Sequence, residues 1–250
     1  MARTLNTQIN DIFFDEELRR AHLMDMWEHI VLTNPGKDNA YHNSQHMREV
    51  AMLALRILRC DPEFYNQTKE ERQLDELICL LTCLWHDYGH SAGQFPDSKN
   101  IDIATNAFQW WWDNNGRSHQ YLYEAGKLPP GSSKIVVSTL TITDKVRKAL
   151  RCTEFPFKYA PFTPVEMAIR DADLLYTFSD RTGDIVYGLY LELKPKLPEG
   201  MTFRDFLGGQ TRFHESVTLF TPIGDSIHKQ LSACAIREQY RWADEHESAM

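Results

Sequence analysis

Apolar residues recur every three or four positions along most of the chain, the spacing of one face of an α-helix, and short clusters of Gly, Pro, Asn and Asp separate the runs. From Asp15 to Leu32, the residues Leu18, Ala21, Met24, Trp27, Ile30 and Val31 form one stripe, which Asn34, Pro35 and Gly36 terminate. Ser44 is a suitable N-cap for a second helix with Met47, Val50, Ala51, Ala54, Ile57 and Leu58 on one face; Asp61 and Pro62 close it. A third helix, Lys69 to Trp85, opens on charges, then buries Leu74, Leu77, Ile78, Leu81, Leu84 and Trp85, and stops at His86–Gly89. The pattern continues from Ile101 to Trp112, where Asn114, Asn115 and Gly116 follow. Thr163, Pro164 and Glu166 form a capping box that opens a helix through Ala168–Leu175. Gly183–Leu193, Thr202–Leu219 and Asp225–Glu245 complete the series, the last with Ile227, Leu231, Cys234 and Ile236 inward. One segment resists this reading: Ile135–Thr143 is rich in β-branched residues and by propensity alone is a strand. The expectation is an all-α protein, one helical domain over residues 1–250.

Composition supports a folded chain and removes some functions. With 250 residues and 42% hydrophobic residues it has the length and apolar content for a sizeable core. Lys and Arg number 27 against 35 Asp and Glu, a net charge of −8, so no general basic field exists to hold duplex nucleic acid. The most apolar stretch, Leu77–Trp85, is far below the roughly 20 residues needed to span a bilayer. The first residues lack the apolar core and cleavage site of a secretory signal, which sets a cytoplasmic expectation with no membrane partner. Cys60, Cys79, Cys83, Cys152 and Cys234 read as small buried hydrophobes rather than a disulfide framework. Self-association is left open by the sequence.

The candidate chemistry lies in three short stretches beside apolar helices: Tyr41–His46 (YHNSQH), His86–His90 (HDYGH) and Ile169–Leu174 (IRDADL). His42 and His46 are four apart, as are His86 and His90, so on a helical path each pair shares a face. Asp87 adds an anionic oxygen and a later Asp another, a mixed nitrogen and oxygen set suited to Zn, Mn, Fe, Ni or Mg. Asp171 and Asp173 project about 200° apart on a helix, so one of the two faces a metal, and periodicity does not choose between them.

Taken in order, His46, then His86 with Asp87, then a distant Asp, the pattern resembles that of the HD superfamily of metal-dependent phosphohydrolases, over about residues 41–175. YHNSQH and HDYGHSAG are similar to the corresponding stretches of class I cyclic-nucleotide phosphodiesterases, and ADL resembles the stretch bearing their last ligand. The resemblance implies an HD-type all-helical fold, with residues 176–250 completing the pocket. It implies His46, His86, Asp87 and Asp173 as ligands of a first divalent metal, with Asp87 bridging to a second held mainly by water. It implies a metal-activated hydroxide as nucleophile, His42 as general acid and His90 as the residue that orients phosphate or water.

The substrate implied is a nucleotide, a 3′,5′-cyclic nucleotide first, with Gln210 and Phe213 gripping the base by amide hydrogen bonds and ring stacking. The chain is shorter than those catalytic domains, and its spacing after Gln210 departs from theirs, which weakens the cyclic assignment. A nucleoside mono- or triphosphate hydrolase is the alternative. A di-iron oxygenase of the same scaffold needs further histidines between Asp87 and Asp173, where the chain offers His90 and His119. A non-catalytic nucleotide-binding protein is the remaining reading. Lys99, Lys145, Arg147 and Arg170 are candidate phosphate contacts, and Trp110–Trp112 a candidate pocket wall.

Overall fold

The computed structural model describes residues 5–115 and 139–246. His119 and positions 135–138 of the β-branched segment lie outside them. The described residues form helices α1 (Leu5–Ala21), α2 (Met24–Thr33), α3 (Ser44–Arg59), α4 (Pro62–Tyr65), α5 (Lys69–Trp85), α6 (Asp97–Asn114), α7 (Thr139–Cys152), α8 (Pro164–Leu175), α9 (Thr182–Leu193), α10 (Phe203–Ser216) and α11 (Pro222–His246). No strand occurs among them, and none of these helices is long and apolar enough to cross a membrane.

The bundle is arranged around α3, which lies against α8 on one side and α5 on another. Met47, Val50, Ala51, Ala54, Ile57 and Leu58 are all buried, so the stripe read from the sequence is the face that meets these partners. From Leu77 onward α5 is buried all round, which places its last turn and the His86 that follows inside the protein. Arg59 ties three helices together, making a bidentate pair to Glu17 on α1 (2.8 and 2.9 Å) and a bond to Glu76 on α5 (2.7 Å). A smaller core, built on Val186, Tyr190, Phe203, Phe206, Leu207 and Ala243, joins α9, α10 and α11.

Capping fixes the helix starts. Thr68 with Glu71, Thr163 with Glu166, and Thr202 with Asp205 form capping boxes on α5, α8 and α10. On α3 the cap is Asn43 and not Ser44: its side chain accepts hydrogen bonds from the amides of Gln45 (2.9 Å) and His46 (3.2 Å).

Other expectations are corrected, and the segment left open is decided. The stripe over Asp15–Leu32 is divided between α1 and α2, because the chain turns at His22, whose φ is +56°. The β-branched segment is helical from Thr139, where Ile142 and Val146 face the core and α7 gains tertiary contacts with α5 that outweigh propensity. On α11 Ile227 packs against the core as expected, but the fully buried positions are Gly224, Ala235, Gln239 and Ala243, while Leu231 and Cys234 are exposed. Small residues there admit close approach of α9, and Gln239 donates to Thr182 Oγ1 (2.7 Å). Cys60 is likewise exposed; Cys79, Cys83 and Cys152 are buried.

Candidate metal centre

The C-cap of α5 is His86 and Asp87 follows it, the first turn of α3 delivers His46, and the last turn of α8 delivers Asp173. Their donor atoms converge. His46 Nε2 lies 3.0 Å from Asp87 Oδ2 and 3.2 Å from Asp173 Oδ1; His86 Nε2 lies 3.1 Å from Asp87 Oδ2 and 3.7 Å from Asp173 Oδ1; the two Nε2 atoms are 3.1 Å apart. Donors about 2.1 Å from a shared ion stand about 3.0 Å apart in octahedral and about 3.4 Å apart in tetrahedral geometry, so these edges fit one cation.

Two details bear on how these atoms are paired. Asp87 Oδ2 is buried and makes no well-directed hydrogen bond, despite two imidazole nitrogens close by. His86 Nδ1 is 2.8 Å from the carbonyl oxygen of Cys83 and donates to it, which leaves Nε2 as a lone-pair donor facing the cluster.

Electrostatics point the same way. Burial pushes the His46 imidazole down, but the Asp173 and Asp87 carboxylates outweigh it and hold its pKa at about 9. Burial also works against ionisation of Asp87, yet His86, His42 and His46 keep its carboxyl well below the usual range. Two carboxylates, Asp87 buried and Asp173 partly buried, beside two buried histidines make a donor set that a divalent cation would neutralise. The His46 ring is packed between Tyr41 (4.8 Å between centroids) and Tyr176 (4.5 Å).

Asp171 points elsewhere. Its carboxylate is buried and accepts hydrogen bonds from Phe220 N (2.9 Å), Thr221 N (2.8 Å) and Thr221 Oγ1 (2.6 Å), securing the start of α11. The structure thus divides the roles that periodicity left open.

His42 and His90 stand beside this cluster, though not through helix spacing. His42 precedes the α3 cap, and His90 follows a turn at Gly89, whose φ is +73° and where a Cβ would meet Ile103 Cγ2 at 2.7 Å. The two imidazoles stack with centroids 3.6 Å apart at 26°. With Asp87 they make a second group of donor atoms, but nearly parallel stacked rings cannot both aim in-plane lone pairs at one ion. His90 Nδ1 accepts a hydrogen bond from Ala92 N (3.2 Å), which fixes its tautomer and directs Nε2–H toward Asp97 Oδ1, 3.6 Å away.

Glu192 on α9 was not found from the sequence. Its carboxylate accepts from the amides of Tyr41 and His42 and lies 2.6 Å from His42 Nδ1. Burial pushes Glu192 up, but the hydrogen bonds from His42 and Tyr41 prevail and keep it ionised. Nδ1 of His42 therefore donates to Glu192, leaving Nε2 as the nitrogen available for chemistry. A glutamate 150 residues downstream in an apolar helix carries no local signal, so only the fold reveals it.

Part of this arrangement opens on one cavity of about 500 Å³, whose walls include His42, Asp87, His90, Asp173, Gln210 and Phe213, while His46, His86 and Glu192 lie behind them. The volume suits a small ligand. Lys99, Lys145, Arg147 and Arg170 do not line it; its one Lys or Arg among the described residues is Lys196. Lys99 sits over the Phe95 ring instead, 3.4 Å from its centroid. Trp110–Trp112 do not line it either: Trp111 and Trp112 are buried elsewhere and Trp110 is exposed. No protein-family model matches the chain, and no curated protein matches it.

Proposed function

We propose that this protein is a divalent-metal-dependent phosphohydrolase of the HD type, acting on a phosphodiester or phosphomonoester of a nucleotide. The observation that carries the reading is that one cavity is lined both by Asp87 and Asp173 of the four-donor cluster and by His42, which a buried carboxylate orients. A cation held by His46, His86, Asp87 and Asp173 supplies Lewis acidity, lowering the pKa of water and neutralising phosphoryl oxygens as charge builds.

The remaining work falls to the chain's own groups. Glu192 fixes the orientation of His42 through Nδ1, leaving Nε2 as the atom that passes a proton to a departing alkoxide. His90, pinned by Ala92 N, stacks on His42 and limits its rotation. A second ion would be held at Asp87, which lines the cavity beside the stacked His42 and His90, and would share the neutralisation of the phosphoryl charge. Metal number and identity belong to this proposal, as does the role of Gln210 and Phe213 in holding the base.

The cavity favours a lightly charged substrate. With Lys196 as its lone Lys or Arg among the described residues, against Asp87, Asp97 and Asp173, it lacks the cations that a triphosphate tail requires. A phosphodiester, cyclic or linear, is therefore preferred to a nucleoside triphosphate. The test is a screen of Mn²⁺- and Zn²⁺-supplemented protein against cyclic nucleotides, nucleoside mono- and triphosphates and bis(p-nitrophenyl) phosphate, with the products identified. Turnover of at least one phosphoester, lost on chelation, is expected; inertness toward the whole panel with metal bound overturns the proposal.

A further inference from the structure

We propose that the loop following α7, residues 153–162, is the specificity wall of the cavity, and that Phe155 and Phe157 receive a planar aromatic group attached to the phosphoryl. The inference rests on the reading of the cluster as a phosphoester site and adds the residues that select what the phosphoryl carries.

Phe155 and Phe157 line the same cavity as Asp87 and His42, yet they are 53% and 39% exposed. Phe95 faces them from the other wall at 39% exposure. Free apolar rings ordinarily fold down onto the nearest core. Here the backbone that carries them is anchored and does not allow it. Arg170, only 2% exposed, donates through Nε to the carbonyl of Cys152 and through Nη2 to that of Tyr159 (3.1 Å). Its guanidinium lies 3.5 Å from the centroid of the Phe157 ring. From the opposite side, Phe155 N–H donates to Asp97 Oδ2 (2.7 Å), and the other oxygen of Asp97 is the one that faces His90. The wall and the histidine pair thus share one carboxylate.

Ring geometry fits an incoming planar group. Phe155 stands edge-on to Phe157 (5.3 Å, 86°) and to Phe213 (5.7 Å, 82°), so the rings form a corner and not a closed stack. A flat heterocycle entering that corner meets one face and one edge, the arrangement aromatic pairs prefer. Because the corner is preformed, little ordering entropy opposes binding. Arg170 accordingly is a positioning residue for the wall and not a phosphate contact.

The test uses the full chain loaded with Ca²⁺ and compares adenosine 5′-monophosphate with ribose 5-phosphate by titration calorimetry. These probes share a phosphate and differ by the planar base. The base should tighten binding about 10-fold in the native protein, a modest stacking gain. Phe155→Ala and Phe157→Ala should shrink the ratio to about 2-fold and leave ribose 5-phosphate affinity unchanged. Phe157→Leu, which keeps apolar bulk, separates lost stacking from a misfolded loop and should also lose the preference. Equal affinity for the two probes, no measurable binding of either at millimolar concentration, or a preference that survives all three variants overturns the proposal. A base preference without hydrolysis of any phosphoester would sink the proposed function and leave the wall standing; hydrolysis without a base preference would do the reverse.

Discussion

Asp171 and Asp173 sit two residues apart on one helix, and replacing each with alanine should produce opposite outcomes. Asp171 is fully buried and accepts from two amides and a hydroxyl at the start of α11. Asp171→Ala leaves three donors unpaired in a dry site; at roughly 1 to 1.5 kcal/mol for each, the loss is about 3 to 5 kcal/mol. For a chain of this size that is a fall in Tm of about 10 °C. Metal binding should persist, because Asp171 touches none of the four donors. Asp173→Ala instead removes a donor, and with it one of the carboxylates that hold His46, so bound metal should be lost. The assay is thermal unfolding of chelated protein followed by circular dichroism, paired with metal stoichiometry by plasma mass spectrometry after reloading. If Asp171→Ala lost metal with unchanged stability, or Asp173→Ala kept full metal occupancy, the division of roles argued above is wrong.

Other consequences can be measured independently. Glu192→Gln should leave metal stoichiometry intact yet lower turnover of any substrate found by about 100-fold, through loss of the charged partner of His42; unchanged turnover would remove His42 from proton transfer. Adding Zn²⁺ or Mn²⁺ at 100 times its dissociation constant should stabilise the protein by about 2.7 kcal/mol, and His46→Ala or His86→Ala should abolish the shift. His214, packed on Phe178 and Thr177 next to His228, is pushed by burial from an ordinary 6.5 to about 4. The fold favours its neutral form, so this contribution is complete above pH 6.5 and is lost as pH falls toward 4. The loss reaches about 3 kcal/mol at its lower end. Urea midpoints of the native protein and His214→Gln at pH 7.5 and pH 5 check it, with a smaller pH dependence expected in the variant.

Much of this architecture was legible in the sequence because it is carried by local rules. The stripe on α3, the bounds of α5 and the capping box of α8 are settled by neighbours within four residues, and the structure has them where the pattern put them. What was not legible depended on distant partners. The helical state of Thr139–Thr143 is imposed by packing, the inward face of α11 by small residues meeting α9, and the bonding of Asp171 by a turn 50 residues away, a contact that periodicity does not show. The convergence of His46, His86, Asp87 and Asp173 is present in the fold, whereas Glu192 and Phe155 give no sign of their positions until α9 and the loop after α7 are folded against the site.

Three asparagines ahead of α3 join the two histidine-bearing turns. Asn34 Oδ1 accepts from Gly36 N (2.9 Å) and Gly89 N (2.8 Å), Asn39 Nδ2 donates to the carbonyl of His90 (2.8 Å), and Asn43 Nδ2 donates to that of Asn39 (2.8 Å). Every one of these links is between uncharged amides. Protons and ions arriving at the imidazoles and carboxylates therefore change the charge of the site without touching the struts that space it, and salt that screens its charges leaves those struts at full strength. The frame around His42 and His90 is thus built from bonds whose strength does not depend on the charge beside them.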